Sequence, residues 1–310
     1  MSPLEVVGED RVVHVRAPGK INLSLRCGPV GEDGYHPLVT TFQAVSVYEE
    51  VSARPGDGVS LTVSGAQAEL VPTGPENLAA RAAVLLAERA GIEPHVALHV
   101  RKDVPVAGGM AGGSADAAAA LVACDALWRT GFSREELTEL AGELGADVPF
   151  TLLGHTAVGQ GRGHLLSPAL VHGQFHWVLA IRHEGQSTPA VYARFDERTG
   201  GRARLDPEAD VALLLALRRG DPGALGAALH NDLQQAALDL SPDLEGPLEV
   251  ASEAGALGAV VSGSGPTVAV LARSAQHALE LSTTLAGAGV ADEVRTATGP
   301  VAGATLLTHR

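Results

Sequence analysis

Pro105-Val106-Ala107-Gly108-Gly109-Met110-Ala111-Gly112-Gly113-Ser114-Ala115 decides how the rest of this chain is read. Four glycines crowd into six positions, and an alanine-rich stretch follows whose propensity predicts a helix from Ser114 to Trp128. Glycine adopts φ > 0 and lets the main chain approach a ligand with no Cβ in the way. A helix start adds unpaired N–H donors and a partial positive charge, so a phosphate can be held without a cationic side chain. Ser114 is placed either to cap the helix or to offer its hydroxyl to a phosphate or to Mg²⁺. The plain alternative is a tight strand-to-helix connection that holds nothing, a use for which this glycine density is costly in chain entropy. Spacing excludes two familiar loops. No glycine triple falls at i, i+2 and i+5, and Gly113 is followed by Ser114 rather than by the lysine of a Walker A loop.

Working outward, residues 95–100 alternate as a strand leading into Lys102. Residues 11–16 predict a strand ended by Ala17-Pro18-Gly19. Residues 38–53 predict a strand with one buried face, and 59–63 another. Residues 77–90 have helical periodicity and stop at Gly91. Downstream, Ser133-Arg134-Glu135-Glu136 is a capping box whose helix Gly145 closes. Strands and helices mix without strict βαβ alternation, so the fold class is α+β. Gly159-Gln160-Gly161-Arg162-Gly163 marks a hinge, dividing the chain into domains 1–163 and 164–310. The second is also α+β, with strands at 176–182, 258–262 and 267–272 and helices at 208–219, 222–237 and 275–288.

Composition narrows the function. Hydrophobic residues at 45% and charged residues at 19% of 310 supply a packed core rather than a disordered chain. A net charge of −14 disfavours nucleic acid and anionic membranes as partners. The start, Met1-Ser2-Pro3-Leu4-Glu5, has no leader character, and no apolar run approaches the roughly 20 residues of a membrane span. A cytoplasmic location is expected. Two cysteines, Cys27 and Cys124, make neither a disulfide framework nor a zinc site. Of the 22 basic residues only Lys20 and Lys102 are lysine, and each flanks a motif. A compact ammonium does work there that a planar guanidinium does not, or else a base-composition bias simply spared them.

Three separated blocks now carry a resemblance: Ala17-Pro18-Gly19-Lys20-Ile21-Asn22-Leu23 with Asp33-Gly34-Tyr35-His36; the glycine-rich loop with Gly145-Ala146-Asp147-Val148-Pro149-Phe150; and Ser262-Gly263-Ser264-Gly265-Pro266-Thr267. In this order they resemble the GHMP small-molecule kinases, within them the branch acting on 4-diphosphocytidyl-2-C-methyl-D-erythritol in non-mevalonate isoprenoid synthesis. The resemblance covers nearly the whole chain. It departs at Ala107 and Ala111, where many relatives have glycine, and at Ala115-Asp116, where small polar residues are commoner.

The resemblance implies a two-domain GHMP kinase fold with the active site in the cleft between domains. It implies ATP held by the 105–115 loop with Asn77 and Lys102 near the nucleotide, and Mg²⁺ arriving with ATP rather than on a dedicated carboxylate cluster. Asp147 becomes the base and Lys20 its charge-stabilising partner, hydrogen-bonded to the carboxylate and the substrate hydroxyl. Read without the resemblance, Asp147 is a helix-stop residue and Lys20 a surface lysine. Asn22 would orient the same hydroxyl. Tyr35 and His36 suit a cytosine, one ring to stack and one imidazole to hydrogen-bond, with Tyr192 on the opposite face. Gly263, Ser264 and Gly265 would close over substrate phosphates, or form a plain hairpin turn. The chain is expected to act on a small molecule as monomer or homodimer. Alternatives are a GHMP kinase for another alcohol, such as homoserine or mevalonate, and a non-catalytic nucleotide binder. Tyr35-His36 speaks against the first, and Lys20 together with Asp147 against the second.

Overall fold

A computed structural model gives the fold of residues 11–206 and 208–307. The start of the chain read above for a leader, residues 1–5, lies outside them. No helix among the described residues is long and apolar enough to cross a membrane.

The first sheet is built on β1 (Val13–Cys27) and β2 (Leu38–Arg54), antiparallel from Val13 opposite Ala53 to Cys27 opposite Leu38. The strand end expected at Ala17-Pro18-Gly19 is not there. The register shifts between Pro18 and Gly19, which accommodates a proline with no N–H to donate, and β1 runs on through Lys20 and Asn22. β3 (Val59–Gly65) and α1 (Leu78–Ala90) precede β4 (Val96–Lys102), which pairs with β2 and, in parallel, with β3. α2 (Gly112–Trp128), α3 (Arg134–Leu144) and α4 (Val148–Leu153) follow. Alanine lets α2 be buried all round, between α1 and the sheet, with Ala117, Ala118, Ala119 and Ala120 all inaccessible.

β5 (Thr156–Gly161) and β6 (Leu165–Pro168) form a hairpin on β2. The expected hinge at 159–163 is therefore the end of β5 and the start of a hairpin turn at 162–164, and the boundary drawn at 163 cuts that turn; both strands stay in the first sheet.

The second half opens with β7 (Phe175–Ile181) and α5 (Thr188–Thr199). α6 (Val211–Arg219), α7 (Pro222–Ala228), β8 (His230–Asn231) and α8 (Gln234–Leu240) come next. The helix expected over 222–237 is thus two helices, broken where His230 and Asn231 pair with β1. α9 (Glu245–Glu253), β9 (Gly258–Val261), β10 (Val268–Ala272), α10 (Ala275–Ala288), β11 (Glu293–Gly299) and β12 (Thr305–Leu306) complete the chain. The second sheet is antiparallel, in order β11-β7-β10-β9. The chain end returns to the first sheet as β12 against β1.

The period-2 pattern of β7 joins the halves. Val178 and Ala180 pack with Val191 and Phe195 of α5 and Leu281 and Leu285 of α10. Trp177, Leu179 and Ile181, on the opposite face, pack with Ile21 and Leu23 of β1, Val45 and Val47 of β2, and Met110 of the glycine-rich loop. The cleft between the halves opens beside this shared core.

Candidate active site

The glycine-rich loop is seated by its backbone. Lys20 N–H donates to the Met110 carbonyl at 3.0 Å, and Lys20 Nζ and Ser262 Oγ both donate to the Gly109 carbonyl, at 2.9 and 3.2 Å. Gly109 has φ +74, and a Cβ there would stand 2.3 Å from the Ser262 carbonyl oxygen, so only glycine lets the two glycine loops touch. Ala107 and Ala111 adopt φ +52 and +59. The loop keeps a glycine-type path there with side chains that oppose it.

Ala111 is the residue before α2, and no side chain caps the helix. Ser114 lies inside the first turn, so the capping role open to it from sequence is not taken. A 17-residue helix thus starts with amides that no side chain satisfies, beside a cavity of about 440 Å³. Pro105, Ala107, Gly108, Gly109, Ala111, Gly112, Gly113 and Ser114 line this cavity. Met110 and Ala115 do not; both are fully buried, and Met110 anchors the loop in the core between the halves. Val106 lines a smaller cavity of about 290 Å³ on the loop's other side, together with Asn77, Leu78 and Lys102.

Lys20 and Asp147 meet in the main cavity, Nζ to Oδ2 4.0 Å. This is ion-pair rather than hydrogen-bond distance. The ammonium instead donates to Asn22 Oδ1 at 2.8 Å and to the Gly109 carbonyl, and lies 5.6 Å from the centre of the Phe42 ring. Burial pushes its pKa down, and the Asp147 charge opposes that shift without cancelling it. Lys20 is 5% exposed whereas the Asp147 side chain is 35% exposed, so the carboxylate faces the open space. Asn22 is committed on both sides, since its Nδ2 donates to Thr40 Oγ1 at 2.8 Å. It orients the lysine.

Lys102 is placed differently. Its ammonium lies 2.6 Å from Glu49 and 2.6 Å from Asp116, all three buried beneath the start of α2. Burial works against the lysine charge, but Asp116 and Glu49 outweigh it and push its pKa up. Burial and then the Asp116 charge push Glu49 up to about 8.

The aromatic residues line a neighbouring cavity of about 600 Å³. Tyr35 is 54% exposed on it, with the Arg162 guanidinium 3.5 Å above its ring centre. His36 is buried, Nδ1 2.8 Å from the Gly28 carbonyl and Nε2 3.3 Å from Asp196. Tyr192 stacks on His36 with ring centres 5.0 Å apart, so it forms one wall with the imidazole. Gly263 and Ser264 line the main cavity; Gly265 packs against Gly109 and Gln186 instead. The hairpin loop is pinned by Asn231, whose Nδ2 donates to the Val261 and Gly263 carbonyls.

Sequence reading missed Glu49, Asp116, Asn231 and Arg162. Glu49 did leave a signal, because period-2 alternation puts it on the buried face with Val45, Val47 and Val51. Asn231 left none, lying in what read as mid-helix. Among the described residues no group of three or more His, Cys, Asp or Glu side chains is gathered to hold a metal.

This geometry has relatives. The family described as GHMP kinases N terminal domain matches residues 77–155, and GHMP kinases C terminal matches residues 213–290. The 4-diphosphocytidyl-2-C-methyl-D-erythritol kinase of Streptomyces coelicolor is 53% identical over 296 residues, 95% of this chain and 99% of that protein. The enzyme of the same name from Thermobifida fusca is 54% identical over 308 residues, 95% and 98%. A crystal structure of 4-(cytidine 5′-diphospho)-2C-methyl-D-erythritol kinase superposes with TM-score 0.77 at 32% identity, covering 92% of this chain and 98% of that one. Homoserine kinase from Cytophaga hutchinsonii, TM-score 0.76 at 20% identity, shares the fold. On these matches the chain belongs to the GHMP kinases, in the 4-diphosphocytidyl-2-C-methyl-D-erythritol kinase family.

Proposed function

We propose that this chain transfers the γ-phosphate of ATP to the 2-hydroxyl of 4-diphosphocytidyl-2-C-methyl-D-erythritol. The observation that carries this is the meeting of Lys20 and Asp147 in a cavity walled by the uncapped start of α2 and adjoining an aromatic cavity. The first-turn amides of α2 hold the triphosphate, and the side cavity with Asn77 and Leu78 takes the adenosine end. Lys102 acts there through the helix it supports. Tyr35, His36 and Tyr192 take the cytosine.

Phosphoryl transfer asks for positioning and charge neutralisation. Asp147 accepts the hydroxyl proton as the substrate oxygen bonds to the γ-phosphorus and the bond to the ADP oxygen breaks. Lys20, held by Asn22 and the Gly109 carbonyl, stabilises the charge that builds on the transferring group. Ser114 and Asp147 line the same cavity and would offer oxygen donors to a Mg²⁺ bound chiefly by ATP and water, which would neutralise phosphate charge there. The first half supplies the ATP site and the base, and the second half closes over the substrate, with the boundary after β6 at residues 169–174.

The test is ADP release from ATP with 4-diphosphocytidyl-2-C-methyl-D-erythritol, homoserine and mevalonate offered separately. Turnover on the first alone is expected. Equal turnover on either of the others would overturn the reading.

A further inference from the structure

The end of β5 and the turn that follows it, residues 159–164, have a use that their place in the hairpin does not explain. Gly163 N–H donates to the Gln160 carbonyl at 3.0 Å, and Gly161 and Gly163 take φ +69 and +94. A Cβ on Gly159 would stand 2.6 Å from the Gly163 carbonyl oxygen and 2.8 Å from the Phe42 ring. The turn is thus folded tightly onto β2, and it carries Arg162 at its tip. The guanidinium lies on the ring of Tyr35 and pairs with Asp33 at 3.0 Å.

Arg162 lines both the main cavity and the aromatic cavity. Leu38, Ala146, Thr188 and Tyr192 share that seam, and Arg162 is the one charged side chain among them. A substrate with its base in the aromatic cavity and its reacting hydroxyl at Asp147 lays its diphosphate across this seam. Two negative charges then need a counterpart in a chain whose net charge is −14. Lys20 is held at the reacting end, and both His36 ring nitrogens already face Gly28 and Asp196. The first residue of α5, Thr188, adds the partial positive charge of a helix start to the seam.

We propose that Arg162 binds the diphosphate between base and polyol, leaving Asp33 and the Tyr35 ring as substrate enters. The inference rests on the function proposed above. A guanidinium fork matches phosphate oxygens in pairs. Its present partners are weak ones, an ion pair with side chains 47% and 57% exposed and a surface cation–π contact, so the exchange is favourable.

The experiment is calorimetric binding of CDP and of cytidine to the whole chain, with a non-hydrolysable ATP analogue saturating the loop. The wild type is expected to prefer CDP. Arg162→Ala and Arg162→Gln should each weaken CDP about tenfold and leave cytidine within about twofold. Arg162→Lys should fall between. Asp33→Asn, which frees the guanidinium, should tighten CDP and not cytidine. Equal weakening of CDP and cytidine in the Arg162 variants would overturn the inference, reducing Arg162 to a support for Tyr35. No change in either would overturn it too. A wild type that binds neither ligand would instead sink the function reading on which it rests.

Discussion

Lys20 and Lys102 flank the same glycine-rich loop, are buried to nearly the same degree, and are the only lysines in the chain. Their surroundings are opposite. Lys102 sits between the carboxyl groups of Glu49 and Asp116 at 2.6 Å, and its charge is favoured. Lys20 has one half-open carboxylate at 4.0 Å, its charge is disfavoured, and its firm partners are an amide oxygen and a carbonyl. A buried charge with its counter-ions in place is finished and serves the fold. One left short of a counter-ion gains most when negative charge arrives, as it does at a phosphoryl-transfer transition state. The contrast sets a cation already paired within the fold against one placed to receive further negative charge, without reference to any relative.

Removing each ammonium should therefore do opposite things. Lys20→Met is expected to lower kcat about 10³-fold, with melting temperature unchanged or raised, because the folded state no longer buries an under-paired charge. Lys20→Arg should not rescue turnover, since a planar fork does not fit a point between Asn22 and Gly109. Steady-state kinetics with thermal melts check both. Lys102→Met should cost about 3 kcal/mol of stability in denaturant titration by leaving the buried Asp116 and Glu49 carboxyl groups without their cation. Replacing Glu49 and Asp116 with leucine in the same chain should restore much of it.

The triad also predicts a pH effect. Glu49 is raised from its ordinary 4.5 to about 8, so between those values the folded chain keeps a proton that the unfolded chain releases. That contribution to stability is fully present below pH 4.5 and is lost as pH rises through about 8. Its slope reaches about 1.4 kcal/mol per pH unit. Glu49→Gln should flatten the decline in denaturant midpoints measured from pH 5 to pH 8.5. The smallest effect lies in the loop between the two lysines: Ala111→Gly should stabilise by up to about 1 kcal/mol, because φ +59 opposes a Cβ. An unchanged melting temperature would mean that surrounding contacts already absorb the strain.

The sequence disclosed those parts of the site whose cause is local. Glycine density followed by alanine specifies a loop and a buried helix, and both are found at 105–128. The pairing of Lys20 with Asp147 spans 127 residues, from β1 to the start of α4, and only the resemblance brought it forward. Local signals misled where tertiary pairing overrode them. Pro18 reads as a strand end, yet pairing to β2 carries β1 across it with a shift of register. Five residues carrying three glycines read as a hinge, yet pairing of β5 with β6 makes 159–161 strand and confines the turn to 162–164. α5 went unseen because only Val191 and Phe195 of its twelve residues are buried, too few for a periodic signal. The contacts of Asp116 with Lys102 and of Asn231 with Gly263 are products of packing and have no local trace.

The most direct test is Asp147→Asn, assayed for turnover with saturating substrates and for binding of an ATP analogue. A neutral amide cannot accept the hydroxyl proton and leaves Lys20 without its counter-ion, so kcat should fall about 10³-fold or more while nucleotide affinity stays within about threefold. A variant that binds nucleotide normally and turns over within about tenfold of the wild type would contradict the assignment of Asp147 as the base.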